Sequence, residues 1–184
     1  GFILLLTGLH HTDGLLDFGD GVMYQGSPEK KIEIMHDQQT GAGGLAIGLV
    51  TILTTAFCIA QLNKDFVVQS LIVSEVSAKL AMVVMAWVGR SAHKGMNTYF
   101  VNTMHDQYRN IRLVVALIIT FVIAIYFLRL TGFTAVTSGL AVALFLVGIS
   151  NRHFRGVTGD VFGAGNDLAR LASLIAILVV VKWV

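Results

Sequence analysis

The chain has 184 residues, 55% of them apolar and only 13% charged, with 19 Gly, one Pro, one Cys and a formal net charge of +2. Soluble domains carry about 25% charged residues, and a mean hydropathy of +0.74 leaves too little polar side chain to cover a water-soluble globule. Disorder, a disulfide scaffold and a free nucleic-acid-binding domain are excluded on the same grounds. What remains is an all-α, polytopic membrane helix bundle, since long apolar runs take the bilayer as solvent.

In chain order, the opening run GFILLL is too short to span and lacks the charged start of a signal peptide. It reads as the tail of a span whose beginning precedes residue 1. Next comes His11-Thr-Asp13-Gly-Leu-Leu-Asp17-Phe-Gly-Asp20-Gly21. The three Asp stand at i, i+4 and i+7, positions that share one helix face with neighbouring Cβ atoms roughly 5–6 Å apart. Carboxylates so placed repel one another unless a cation lies between them, and a hard, oxygen-loving ion such as Mg²⁺ suits them. A solvated acidic helix face is the plainer alternative. Gly14, Gly19 and Gly21 weaken a helix but let a second backbone or a ligand approach closely.

Residues 29–44, EKKIEIMHDQQTGAGG, predict a short amphipathic helix at the interface. It ends at Asp37, which has either a helix-end or a site role, and a Gly-rich turn leads into the next span. Residues 43–62 and 66–88 are near the ~20 residues that cross a bilayer. The second run carries Glu75 and Lys79, whose i, i+4 order suits an ion pair. Ionisable groups at that depth mark a functional cavity by default. The loop 91–110 contains His93 and His105, read as interfacial residues. Two further runs, 111–130 and 132–149, follow. Then comes Arg152-His-Phe-Arg155-Gly-Val-Thr158-Gly-Asp160-Val-Phe-Gly163-Ala164-Gly-Asn166-Asp167, read as a loop leading into a helix. Asp160 and Asp167 share a face, Gly163 and Ala164 between them permit close packing of another helix, and Arg152 and Arg155 suit phosphate oxygens. Residues 171–184 form the last run. Cys58 lies inside an apolar run and reads as a buried small residue. No zinc-type spacing, Walker loop or nucleophile elbow is present.

If the five runs alternate, one side of the bilayer receives nine Lys and Arg (Lys30, Lys31, Arg90, Lys94, Arg109, Arg112, Arg152, Arg155 and Arg170). The other receives Lys64, Arg129 and Lys182. The positive-inside rule therefore predicts a multi-pass protein of the cytoplasmic membrane whose acidic motifs face the cytoplasm. No repeat or linker divides residues 1–184, so one membrane-embedded domain is expected.

His11-x-Asp13-Gly-Leu-x-Asp17-x-x-Asp20-Gly21, then Glu33-Ile-Met35-His-Asp37 with Gly41-Ala-Gly-Gly44, then Thr158-Gly159-Asp160-x-x-Gly163-Ala164-x-Asn166-Asp167 together resemble the cobalamin synthase family, the adenosylcobinamide-GDP ribazoletransferases. Three departures stand out. Asp167 stands where the family usually has Glu, Gln38 or Gln39 where a basic residue is common, and Lys79 where Arg is frequent. The family also begins with more membrane sequence.

The resemblance implies transfer of cobinamide phosphate from adenosylcobinamide-GDP to α-ribazole or its 5′-phosphate, with GMP leaving and Mg²⁺ required. It assigns Asp13, Asp17, Asp20 and Asp160 to the metal, and places Arg152, Arg155, Asn166, Asp167, Glu75 and Lys79 toward the substrates. His11, Asp37 or Asp160 would take part in the proton transfer. Breaking a phosphoanhydride needs charge neutralisation of this kind. No nucleic-acid partner is expected, and assembly as a homo-oligomer stays open. Two rivals share parts of the pattern. An intramembrane prenyltransferase also uses Asp-x-x-x-Asp with Mg²⁺, but carries two acid-rich motifs. An ion channel or transporter would use Glu75 and Lys79, and leaves the Asp stripe without a role.

Overall fold

The computed structural model describes residues 9–92 and 96–183, so the apolar opening run and His93 lie outside the described residues. The elements are α1 (His10–Met23), α2 (Pro28–Met35), α3 (Ala42–Gln61), α4 (Val67–Val88), α5 (Met96–Thr103), α6 (Arg109–Phe154) and α7 (Gly159–Trp183). Among the described residues the one trace of β pairing is an isolated bridge, Ser91 with Val157. The all-α expectation holds.

Among the described residues, four helices are long and apolar enough to cross a membrane: Ala42–Gln61, Val67–Val88, Arg109–Phe154 and Gly159–Val181. The third spans 46 residues, which as a straight rod would measure about 69 Å, twice a bilayer core. It is not straight. Arg129 leaves the helical region (φ 49°, ψ −126°), and the rings of Phe121 and Phe133, about 18 Å apart along a continuous helix, have centroids 5.4 Å apart. The chain reverses at Arg129, and α6 is a hairpin of two spans, as the separate runs 111–130 and 132–149 predicted.

α3 and the first limb of α6 expose Leu49, Leu53, Phe57, Ile111, Ile118 and Val122. Such surfaces in water would be a liability, and in lipid they are the outer face of a bundle. The interior is closed by small residues, as expected where the hydrophobic effect cannot drive helix association. Ser173 on α7 donates to Ser77 Oγ on α4 (2.8 Å), and a Cβ on Gly139 of α6 would meet that same Ser77 hydroxyl. Leu80, Met85, Val136, Leu146 and Val161 pack around this seam.

One boundary differs from expectation. The last apolar run was predicted at residues 171–184, extended by Leu168 and Ala169, with the helix that carries Asp160 and Asp167 outside the membrane. Instead α7 begins at Gly159. Its first half reads as polar because it is rich in Gly, Asn and Asp, but Val161–Asp167 are buried against the bundle. Arg170 is therefore a residue of the span and leaves the cytoplasmic count, and the asymmetry of Lys and Arg survives its removal.

Candidate active site

α1 has fourteen residues, too few to cross the bilayer, and lies between α3 and α7. Its glycines decide how closely. A Cβ on Gly14 would stand 2.9 Å from Asp160 Cα, and one on Gly163 2.9 Å from the His11 carbonyl oxygen. A Cβ on Gly19 would be 2.9 Å from Gly44 Cα, and Leu16 covers Gly48. In both pairs one residue number rises as the other falls, so α1 runs antiparallel to α3 and α7. The close approach allowed by Gly14, Gly19 and Gly163 is approach of backbone to backbone. It brings the two acidic motifs of the sequence together.

The acid stripe therefore meets Asp160. Asp17 is half-buried, and its carboxyl is raised to about 7, by burial first, then by repulsion from Asp160, Asp13 and Asp20. Thr158 caps the N-terminus of α7, its hydroxyl accepting from Val161 N (3.3 Å) and donating toward Asp160 Oδ2 (3.3 Å). Asp160 thus sits in the first turn of α7, where the positive end of the helix favours an anion.

Asp20 has a structural duty as well. Its carboxylate accepts from Gly41 N (2.7 Å) and Gly44 N (2.8 Å), which caps α3 from a neighbouring helix where Gly41 supplies no side chain. Ser27 and Pro28 start α2, and Asp37 follows α2, accepting from Gln39 N (3.2 Å). Asp20 and Asp37 then line one cleft of about 340 Å³ with Tyr24, Ile34, Gln39 and Thr40. The acids Asp13, Asp17, Asp20 and Asp160 share a region, yet among the described residues no three His, Cys, Asp or Glu gather closely enough to enclose an ion unaided.

His11 belongs elsewhere. At 100° per residue it is displaced by roughly 160°, 120° and 180° from Asp13, Asp17 and Asp20. The charges that act on it are Lys79, Asp167, Arg170 and Glu75, and its buried Nδ1 has no hydrogen-bond partner. Those residues form a second polar centre deeper in the bundle. Glu75 was expected to pair with Lys79. Its partner is Arg170, whose Nε and Nη2 both reach the Glu75 carboxylate, the second at 3.3 Å. The i, i+4 spacing loses because a guanidinium presents a two-pronged fork to a carboxylate and an ammonium cannot. Arg170 also donates to Asp167 Oδ1 (2.7 Å), and Asn166 Nδ2 to the same oxygen (3.1 Å). Lys79 instead donates to Asn166 Oδ1 (2.6 Å), its side chain exposed at a groove of about 290 Å³ between α4 and α6. From α1, Thr12 donates to Asp167 Oδ2 (3.3 Å).

Arg152 is exposed, and Arg155 pairs with Glu29 of α2 (2.7 Å), so neither is brought to the carboxylates. Arg170 and Thr12 carry roles that the sequence reading missed. The misplaced start of the last span hid Arg170. A three-residue polar spacing on one helix, Asp167 to Arg170, was the available signal.

The family model described as cobalamin-5-phosphate synthase matches residues 1–178. The chain is similar to proteins named adenosylcobinamide-GDP ribazoletransferase. With that of Methanocella arvoryzae it is 38% identical over 98% of this chain and 72% of the relative. With that of Methanococcoides burtonii it is 30% identical over 100% and 70%, and with that of Archaeoglobus fulgidus 34% identical over 94% and 70%. No solved structure matches. These similarities decide against the prenyltransferase and channel readings, and the chain belongs to the cobalamin-5-phosphate synthase family.

Proposed function

We propose that this chain transfers the cobinamide phosphate of adenosylcobinamide-GDP to α-ribazole or its 5′-phosphate and releases GMP. The observation that carries the reading is the crossing of α1 and α7 at Gly14 and Gly163, which lays α1 against the Asp160 backbone and brings the stripe of Asp13, Asp17 and Asp20 to a carboxylate from a different motif. A Mg²⁺ ion keeps much of its water and takes only one or two protein carboxylates when substrate phosphates complete its shell. The open acid set fits that habit better than a closed four-carboxylate cage. Asp17 and Asp160 would hold the ion, with Asp13 beside them. When bound, the ion would neutralise charge on the transferred phosphoryl group and the leaving GMP.

The acceptor's ribose oxygen forms the new bond to phosphorus as the bond to GMP breaks, and the hydroxyl proton passes to a base. Asp37, in the cleft beside Asp20, is better placed for that proton than His11, which looks into the deeper centre. Arg152, exposed at the end of α6, and Arg155, by leaving Glu29, would reach nucleotide phosphates. The excess of Lys and Arg on that side supports a site facing the cytoplasm of a multi-pass protein in the cytoplasmic membrane.

The test is product analysis. Membranes containing the protein receive adenosylcobinamide-GDP with α-ribazole, or a prenyl diphosphate, each with Mg²⁺. Release of GMP with formation of the joined corrinoid from the first pair alone is expected. Consumption of the prenyl diphosphate instead would reverse the assignment.

A further inference from the structure

The contact between α1 and α7 is made by glycines, and glycine surfaces bring helices close without interlocking them. Asp20 ties one end of α1 to α3 through Gly41 N and Gly44 N, while the Gly14 and Gly163 crossing with α7 has no interlocking side chain of its own. At its His11 end, α1 begins without a side-chain cap. The register of this end on α7, which sets Gly14 against Asp160 and Asp17 one turn further along, needs a tie of its own.

The second polar centre supplies it. Thr12, one residue before Asp13, ties α1 to Asp167 of α7. Asp167 is oriented by Asn166 and by Arg170, and Arg170 is anchored across the bundle by Glu75 of α4. The Arg170 and Asp167 side chains are only 12% and 8% exposed. A guanidinium stays charged in such surroundings, and its planar fork serves two carboxylates at once in fixed directions.

We propose that Arg170 is a positioning residue for the acidic site: bridging Glu75 and Asp167, it holds the Thr12 contact that sets the register of α1 on α7, and so the separation of Asp17 from Asp160. The inference rests on the cation reading given above. Outer partners that orient ligands typically contribute 10–100-fold in metal affinity, and an effect of about that size is expected here.

The experiment uses the full chain in lipid nanodiscs, with Mn²⁺ as the probe, its binding followed by the loss of the free-ion electron paramagnetic resonance signal. Arg170→Lys keeps the charge and loses the fork. Thr12→Val removes the hydroxyl and keeps the shape. Mn²⁺ affinity is expected to fall about tenfold or more in Arg170→Lys and in the same direction, less steeply, in Thr12→Val. The double variant should show less than the sum, since both act through one chain of contacts. The apparent KM for Mg²⁺ should rise with these losses while kcat at saturating Mg²⁺ stays near native. Native Mn²⁺ affinity in an Arg170→Lys protein that merely melts earlier would show a scaffold tie only and overturn the proposal. If Arg170→Lys does not assemble, native affinity in Thr12→Val overturns it equally. A native chain that binds no Mn²⁺, with or without donor, would overturn the cation reading itself and the proposal with it.

Discussion

Asp17→Asn is expected to lower transferase turnover by about 10³-fold, the scale of lost charge stabilisation at a phosphoryl-transfer centre, while the folded protein becomes no less stable. The two halves of that expectation share one cause. Asp17 is half-buried among Asp160, Asp13 and Asp20, which is why its carboxyl is pushed up to about 7. That crowding disfavours an ionised Asp17, and an amide of the same shape carries no such penalty. In the proposed complex with a cation and a diphosphate, the lost negative charge would be the one that holds the ion at the reacting phosphate. Initial rates of GMP release at saturating donor, beside thermal unfolding scans of the same preparations, check both halves. Asp65→Asn, in the exposed turn between α3 and α4, should leave both readings near native. A variant at position 17 that turns over normally at limiting Mg²⁺ would remove Asp17 from the site.

Arg170→Met should have the largest effect on stability, about 3–5 kcal/mol, because it strands two carboxylates. Glu75, Asp167, Lys79 and Arg170 together carry no net charge, and that balance makes them tolerable inside a bundle surrounded by lipid. Removal of the guanidinium leaves Asp167, which is 6% exposed, with no charged partner in contact. Adding Glu75→Gln restores the balance and should recover part of the loss. The thermal midpoint and the monodisperse yield of the single and double variants measure this. A double variant worse than Arg170→Met alone would mean that Glu75 matters for something other than pairing with Arg170.

Much of this architecture is legible in the sequence because membrane spans are written locally. Apolar length gave α3, α4 and the two limbs of α6, and the i, i+4, i+7 spacing placed Asp13, Asp17 and Asp20 on one helix. The resemblance linked that stripe to Thr158-Gly159-Asp160, and the glycine crossing supplies the physical reason the two motifs meet. What the sequence did not show is long-range. Glu75 has a plausible partner four residues away, and nothing local reveals that Arg170, 95 residues on, offers better geometry. A helix carrying Asp160 and Asp167 was expected, but its continuity with the last span was missed because buried Asn166 and Asp167 look like residues outside the membrane to any hydropathy window. They become span residues only when Arg170, Lys79 and Thr12 satisfy them. Asp20 was read as a metal ligand from its spacing alone, and its bonds to Gly41 N and Gly44 N depend on a helix that starts twenty residues later. His11 sits in the same motif as the acids yet on another side of the helix, a distinction that a linear motif conceals and helical periodicity exposes.

The central claim is that Asp17 and Asp160, from different helices, hold one divalent cation against the donor's diphosphate. Mn²⁺ titration of the native chain, Asp17→Asn and Asp160→Asn, each saturated with adenosylcobinamide-GDP, tests it most directly. One donor-dependent Mn²⁺ site is expected in the native protein, weakened at least about tenfold by either substitution. Native affinity in both variants would contradict it.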